Sequence, residues 1–193
     1  MSNMVPGIRD PLDRLWTHRD LDDAPDDGNR YEVIDGVLHM TPSPTTWHQR
    51  VIAKLVAILV PHVEAADLGE VFPAGLRVVL DELTGVEPDL VYVAREQAAS
   101  LLRDGHYGPP ALVVEVLSSK HGLDTKVKLG RYARAGIPWY WIVDPEAMVL
   151  WEYRLEGGQY AVASRAGGDE VFHPALFPGL SIPLARLWGA RPS

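Results

Sequence analysis

Residues 111–117 read A-L-V-V-E-V-L, and residues 86–93 read V-E-P-D-L-V-Y-V. Both are β-branched and aromatic runs of the kind that fill a buried strand. Each also carries an acid: Glu115 with apolar neighbours on both sides, and Asp89 at the opening of its run. A strand apolar at nearly every position is buried on both faces, so these two belong inside a sheet covered from each side. A carboxylate there is expensive to desolvate unless it is paired or holds a metal. Any fold proposed for the chain has to place these two acids.

The rest of the 193-residue chain, 47% hydrophobic and 23% charged, reads as globular. No segment approaches the ~18–20 uninterrupted apolar residues of a membrane span. The N-terminus lacks the basic-then-apolar pattern of a secretion signal, so a cytoplasmic location is expected. With no cysteine, disulfides, thiolate zinc sites and cysteine nucleophiles are excluded. A metal would be held by oxygen or imidazole, which points to Mg²⁺ or Mn²⁺. The net charge of −8 argues against nonspecific coating of nucleic acid. That total conceals a basic stretch, K-H-G-L-D-T-K-V-K-L-G-R-Y-A-R at 120–134, and an acidic N-terminal end.

Local signals predict a short helix over 10–20, then two strands in Y-E-V-I-D-G-V-L-H-M around Asp35-Gly36, a strong hairpin signal. A long helix starts at T-T-W-H-Q, with Trp47, Val51, Leu55 and Ile58 on one face, and ends in the region of Pro61 and Gly69. Strands are predicted near 70–73, 76–81, 89–93 and 111–117, with short helices over 96–104 and 122–135. G-I-P-W-Y-W-I-V-D-P supplies another strand, and a last antiparallel pair turns at Gly157-Gly158. The expectation is one α+β domain over 1–193. It has a mixed sheet flanked by helices, a core over 31–145, and a C-terminal β extension and tail over 146–193.

Two acids on neighbouring strands sit ~5–8 Å apart across a sheet. That suits two oxygen donors for a hard divalent cation, which activates water and neutralises phosphate charge. Plainer readings stand beside this one. Pro88-Asp89 is also turn chemistry, and Glu115 could form a buried salt bridge with a base from 122–135. Trp139 and Trp141 alternate with Tyr140, a pattern suited to core or subunit packing more than to base stacking.

P-D followed by the strand E-V-L-S resembles the PD-(D/E)XK nuclease superfamily, whose core is a mixed sheet flanked by helices. More specifically, the chain resembles the Uma-two family of bacterial candidate restriction endonucleases. The matching pieces run in the family's order from Y-E-V-I-D-G-V-L through T-P-S-P-T-T-W-H-Q, E-P-D-L-V-Y-V and P-A-L-V-V-E-V-L-S-S to D-T-K-V-K-L-G-R-Y-A-R-A-G-I-P-W-Y-W-I-V-D-P. The resemblance implies Asp89 and Glu115 as metal ligands, with the backbone carbonyl of Val116 as a third. The superfamily's lysine two residues after the acid is absent, because Leu117 stands there. The resemblance instead implies Lys128 on the following helix, sharing a face with Tyr132. Lys126 and Lys120 are rivals for that role. Glu32 matches the family's N-terminal acid, implied to bind or orient the metal, although a hairpin pair with Arg30 explains it equally well. His48 and Asp124 also match as auxiliary residues. For these the plainer readings are a polar residue near a helix start and a helix N-cap.

The implied activity is Mg²⁺- or Mn²⁺-dependent hydrolysis of DNA phosphodiesters. The alternatives are a DNA- or protein-binding module that keeps the fold without the chemistry, and a structural protein whose acids only form ion pairs. Exposed tryptophans would make a homodimer the expected assembly. Carboxylates converging with Lys128 beside them favour the nuclease, whereas an arginine locked between them counts against it.

Overall fold

The computed structural model describes residues 14–100, 108–118 and 122–189, apart from the side chains of 98–100 and 122–126. A 3₁₀ turn at His18–Asp23 leads into strands β1 (Arg30–Ile34) and β2 (Val37–Thr41), then helix α1 (Thr46–Ala65). Strands β3 (Gly69–Pro73), β4 (Val78–Asp81), β5 (Thr84–Val86) and β6 (Leu90–Ala94) follow, then a 3₁₀ turn at Arg95–Ser100. Next come β7 (Leu112–Val116), α2 (Gly122–Arg134), β8 (Trp139–Asp144), β9 (Val149–Glu156) and β10 (Gln159–Gly167). The short β11 (Val171–Phe172), β12 (Ile182–Pro183) and α3 (Leu184–Trp188) close the described chain.

The strands form a six-stranded sheet, β10-β9-β8-β7-β6-β3, and a four-stranded sheet, β2-β1-β5-β4. Only β7 and β8 pair in parallel in the large sheet, and α2 makes their crossover. Every residue of β6 and β7 is buried, as their unbroken apolar runs require. Leu90, Leu112, Val114 and Trp141 face α1, α3 and the C-terminal segment in one core cluster. Val91, Val113, Tyr140 and Ile142 join Tyr132 of α2 and Ile34, Val78 and Val86 of the small sheet in a second. Alternation along the strands thus sets Asp89 with Val91 and Glu115 with Val113, on the side of α2 and the small sheet.

Asp35 and Gly36 carry positive φ values of 56° and 75°, the geometry of a type I′ hairpin turn. A side chain at Gly36 would also collide with Leu15, 2.9 Å from its Cβ position. Thr45 caps α1 by accepting from the His48 amide, and the helix runs past Pro61 to Ala65. Of the predicted helix over 10–20, residues 10–13 lie outside the described residues, 14–17 are not helical, and a 3₁₀ turn occupies 18–23. The one over 96–104 is a 3₁₀ turn as far as Ser100, and 101–107 lie outside the described residues. Strand β5, T-G-V, lies between the strands predicted near 76–81 and 89–93 and is not among those predicted.

The C-terminal strands extend the main sheet, and Phe172, Phe177, Leu180, Ile182, Leu184, Leu187 and Trp188 supply its α1-side core. Fully buried Glu152 on β9 anchors this segment. It accepts hydrogen bonds from the Trp141 indole at 3.1 Å and the backbone amides of Ala175 and Leu176 at 2.7 and 3.1 Å. Glu152→Ala would orphan the buried Trp141 indole and take the acceptor from two part-buried amides, at an expected cost of about 1–3 kcal/mol in urea unfolding. A loss under ~0.5 kcal/mol would show that water replaces the carboxylate. None of the six tryptophans is exposed, so they do not supply the surface on which the homodimer expectation rested.

Candidate active site

Four elements distant in sequence meet on the α2 side of the large sheet. Pairing of Leu90 with Val114 sets the register of β6 and β7. One further step places Asp89 opposite Glu115, as two apolar strands each carrying an acid required. Strand β1 brings Arg30 and Glu32, two residues apart and therefore on one face of the hairpin. Helix α2 brings Lys128 and Tyr132, one turn apart.

The four predicted principal residues are gathered and buried: Glu32 is 1% exposed, Asp89 2%, Glu115 8% and Lys128 3%. Lys128 Nζ donates to Glu32 Oε1 at 2.9 Å and to Glu115 Oε1 at 3.2 Å. The Tyr132 hydroxyl donates to the same Glu115 oxygen at 2.7 Å. The second oxygen of Glu115 has no hydrogen-bond partner among the described residues. Glu32 accepts in addition from the Glu87 backbone amide at 2.8 Å.

Asp89 is held differently. Arg30 Nη2 donates to Oδ1 at 2.8 Å, while Oδ2 receives the Val116 amide at 2.8 Å and His48 Nε2 at 3.1 Å. An ionised carboxylate only accepts, so Nε2 carries the proton in this contact. His48 Nδ1 is buried with no partner among the described residues. The hairpin pairing proposed between Glu32 and Arg30 does not form. Arg30 reaches past Glu32 to Asp89, and Glu32 takes Lys128. Val116 meets Asp89 through its N–H, and its carbonyl remains an expectation as a ligand. Asp124 is the third residue of α2, inside the helix and not its N-cap. The side chains of Asp124 and Lys126 lie outside the described residues, as does Lys120.

The electrostatics separate the two central acids. Burial pushes Asp89 up, but the His48 hydrogen bond and the Arg30 charge hold its carboxyl below the ordinary carboxylate value. Burial raises Glu115 to about 7; Lys128 pulls down against it, and Asp89 and Glu32 push further up. Burial, then Glu115 and Glu32, keep the Tyr132 hydroxyl protonated and hence a donor. Glu87, unnoticed in the sequence, joins the cluster: burial and the nearby Glu32 raise its carboxyl. Among the described side chains, the three acids Glu32, Asp89 and Glu115 are ion-paired with two cations, Arg30 and Lys128.

That excess of acids, and the unpartnered Glu115 oxygen, fit a hard divalent cation on Asp89 and Glu115. Among the described residues no three His, Asp or Glu side chains form a ready-made cage. The fit therefore rests on two carboxylates and backbone or solvent oxygen. Arg30 bonds Asp89 and does not bridge the two acids. No helix is long and apolar enough to cross a membrane among the described residues.

The Uma2 family model, described as "Putative restriction endonuclease", matches residues 18–185. Among solved structures, the chain is similar to a putative nuclease belonging to DUF820 from Anabaena variabilis. The TM-score is 0.71 at 18% identity, covering 89% of this chain and 97% of that one. That likeness establishes the shared α+β fold. Curated proteins give no match. The family match spans the hairpin, both acid-bearing strands and the lysine helix: this chain belongs to the Uma2 family.

Proposed function

We propose that the protein is a metal-dependent endonuclease that hydrolyses DNA phosphodiester bonds. The observation that carries this reading is the convergence of Glu32, Asp89, Glu115 and Lys128, from β1, the mouth of β6, β7 and α2, into one buried cluster where acids outnumber bases among the described side chains. In it Asp89, Glu115 and the Val116 carbonyl would hold Mg²⁺ or Mn²⁺. The bound cation would supply Lewis acidity and a more acidic water. Lys128, ion-paired with two acids, provides positive charge beside the reacting phosphate. Glu32 fixes where that ammonium sits. Tyr132 and Lys128 together occupy one Glu115 oxygen, which leaves the other for the metal. His48 and the Val116 amide fix the rotation of the Asp89 carboxylate.

The second reading is a DNA- or protein-binding module that retains the fold. The ion pairs that already engage the carboxylates favour it, as does the lack of a three-residue cage among the described side chains. Supercoiled plasmid separates the two. The nuclease is expected to nick or linearise it with Mn²⁺ or Mg²⁺ and to stop when a chelator is added. Cleavage that survives chelation would overturn the metal role; none with either metal would leave the binding module.

A further inference from the structure

The two cations of the site among the described side chains are spent differently. Lys128, its side chain 4% exposed, reaches two carboxylates at 2.9 and 3.2 Å. Arg30 is 16% exposed while the acid it pairs with is 2% exposed, so it is the cation nearer solvent. Its guanidinium carries five N–H donors in a rigid fork. Among the described residues only Nη2 is engaged, with Asp89. Burial works against its charge, but Asp89 first, then Glu32 and Glu115, hold it firmly protonated. Orienting one carboxylate needs a single donor. A planar fork with most of its donors unspent suits a second, bidentate acceptor, and phosphate is the acceptor that arginine geometry matches.

We propose that Arg30 is a phosphate-binding residue of this site: Asp89 fixes the guanidinium by one N–H, and the remaining donors take the nonbridging oxygens of the substrate phosphodiester. The assignment rests on the nuclease reading and adds to it the group that recognises the anion. It also gives this acidic chain a local means of drawing in a polyanion. With Arg30 on the phosphate, Lys128 need not leave its two acids for substrate to bind.

The test is binding of a fluorescein-labelled duplex in Ca²⁺, followed by anisotropy over a salt series, for wild type, Arg30→Gln and Arg30→Lys. Mn²⁺ titration without DNA runs alongside. Arg30→Gln is expected to weaken duplex binding about tenfold or more and to reduce the salt slope by about one phosphate contact. Its Mn²⁺ affinity should equal or exceed that of wild type, because a cation beside the ligand Asp89 has been removed. Arg30→Lys should keep the slope, as a point charge does, while losing part of the affinity. This second variant keeps the assignment testable if Arg30→Gln does not fold. An unchanged slope in Arg30→Gln, or a slope lost equally in Arg30→Lys, overturns the assignment and leaves the nuclease reading intact. So does a collapse of Mn²⁺ affinity with duplex binding unchanged, because Arg30 would then serve Asp89 alone. A wild-type protein that does not bind the duplex overturns both.

Discussion

Cleavage by Asp89→Asn and by Glu115→Gln is expected to fall by on the order of a thousandfold, about 4 kcal/mol of transition-state stabilisation. Each change keeps the shape of the side chain and removes one of two carboxylate ligands. Their effects on stability should have opposite signs. Asp89 is a carboxylate that the folded protein prefers charged, through His48, Arg30 and the Val116 amide. The amide that replaces it must turn an NH₂ toward one of those donors, at an expected cost of about 1–3 kcal/mol. Glu115 is a carboxylate the fold holds at a penalty, its carboxyl raised to about 7 by burial. In Glu115→Gln the amide oxygen can still accept from Tyr132 and Lys128, so this variant should be as stable as wild type or more stable at pH 8. Plasmid cleavage and urea unfolding on the same preparations check both halves. A stable, inactive Glu115→Gln separates a ligand from a structural ion pair; a variant that is destabilised and still active would sink the metal role of Glu115.

Much of this site was legible because its parts obey local periodicities. Asp35-Gly36 marked the hairpin that carries Glu32, and period-two alternation fixed which face of β6 and β7 holds Asp89 and Glu115. The one-turn spacing of Lys128 and Tyr132 put both on one side of α2, where they meet the same oxygen. What escaped was set by contacts across sequence. Nothing in R-Y-E-V-I says that Arg30 pairs with Asp89 and Glu32 with Lys128, because both partners arrive from other elements. Glu87 carried no signal of its own before Pro88, yet its amide donates to Glu32. Glu152 sits in W-E-Y-R-L, where alternation alone suggests an acid facing solvent. Its burial depends on the 173–177 segment folding back to supply amide donors. The tryptophans misled for a similar reason: burial of Trp16, Trp141 and Trp188 is decided by which segments cover them.

Lys128→Met is expected to cost about 3–5 kcal/mol of stability at pH 8, the range for leaving a buried charge without its partner. Two acids lose their cation in this variant, and the penalty should depend on pH in a defined direction. Glu115 binds its proton more tightly folded than unfolded, with a carboxyl at about 7 against an ordinary 4.5. The folded state therefore holds more protons between those values, and the Glu115 contribution to wild-type stability falls as pH rises through that window. Lys128 is the largest influence pulling that value down. Without it the window widens upward, so the variant should lose stability more steeply than wild type above pH 7. At pH 5 Glu115 is protonated when folded, and the cost of Lys128→Met should shrink to less than half its value at pH 8. Adding Glu115→Gln to Lys128→Met should recover much of the loss at pH 8 and little at pH 5, a coupling that a double-mutant cycle of urea curves measures. Equal losses at both pH values would mean that Lys128 does not stabilise the fold through the charge of Glu115, since methionine keeps most of the aliphatic stem. The charge-balance account of the cluster, and with it the argument for a cation on Asp89 and Glu115, would then fail.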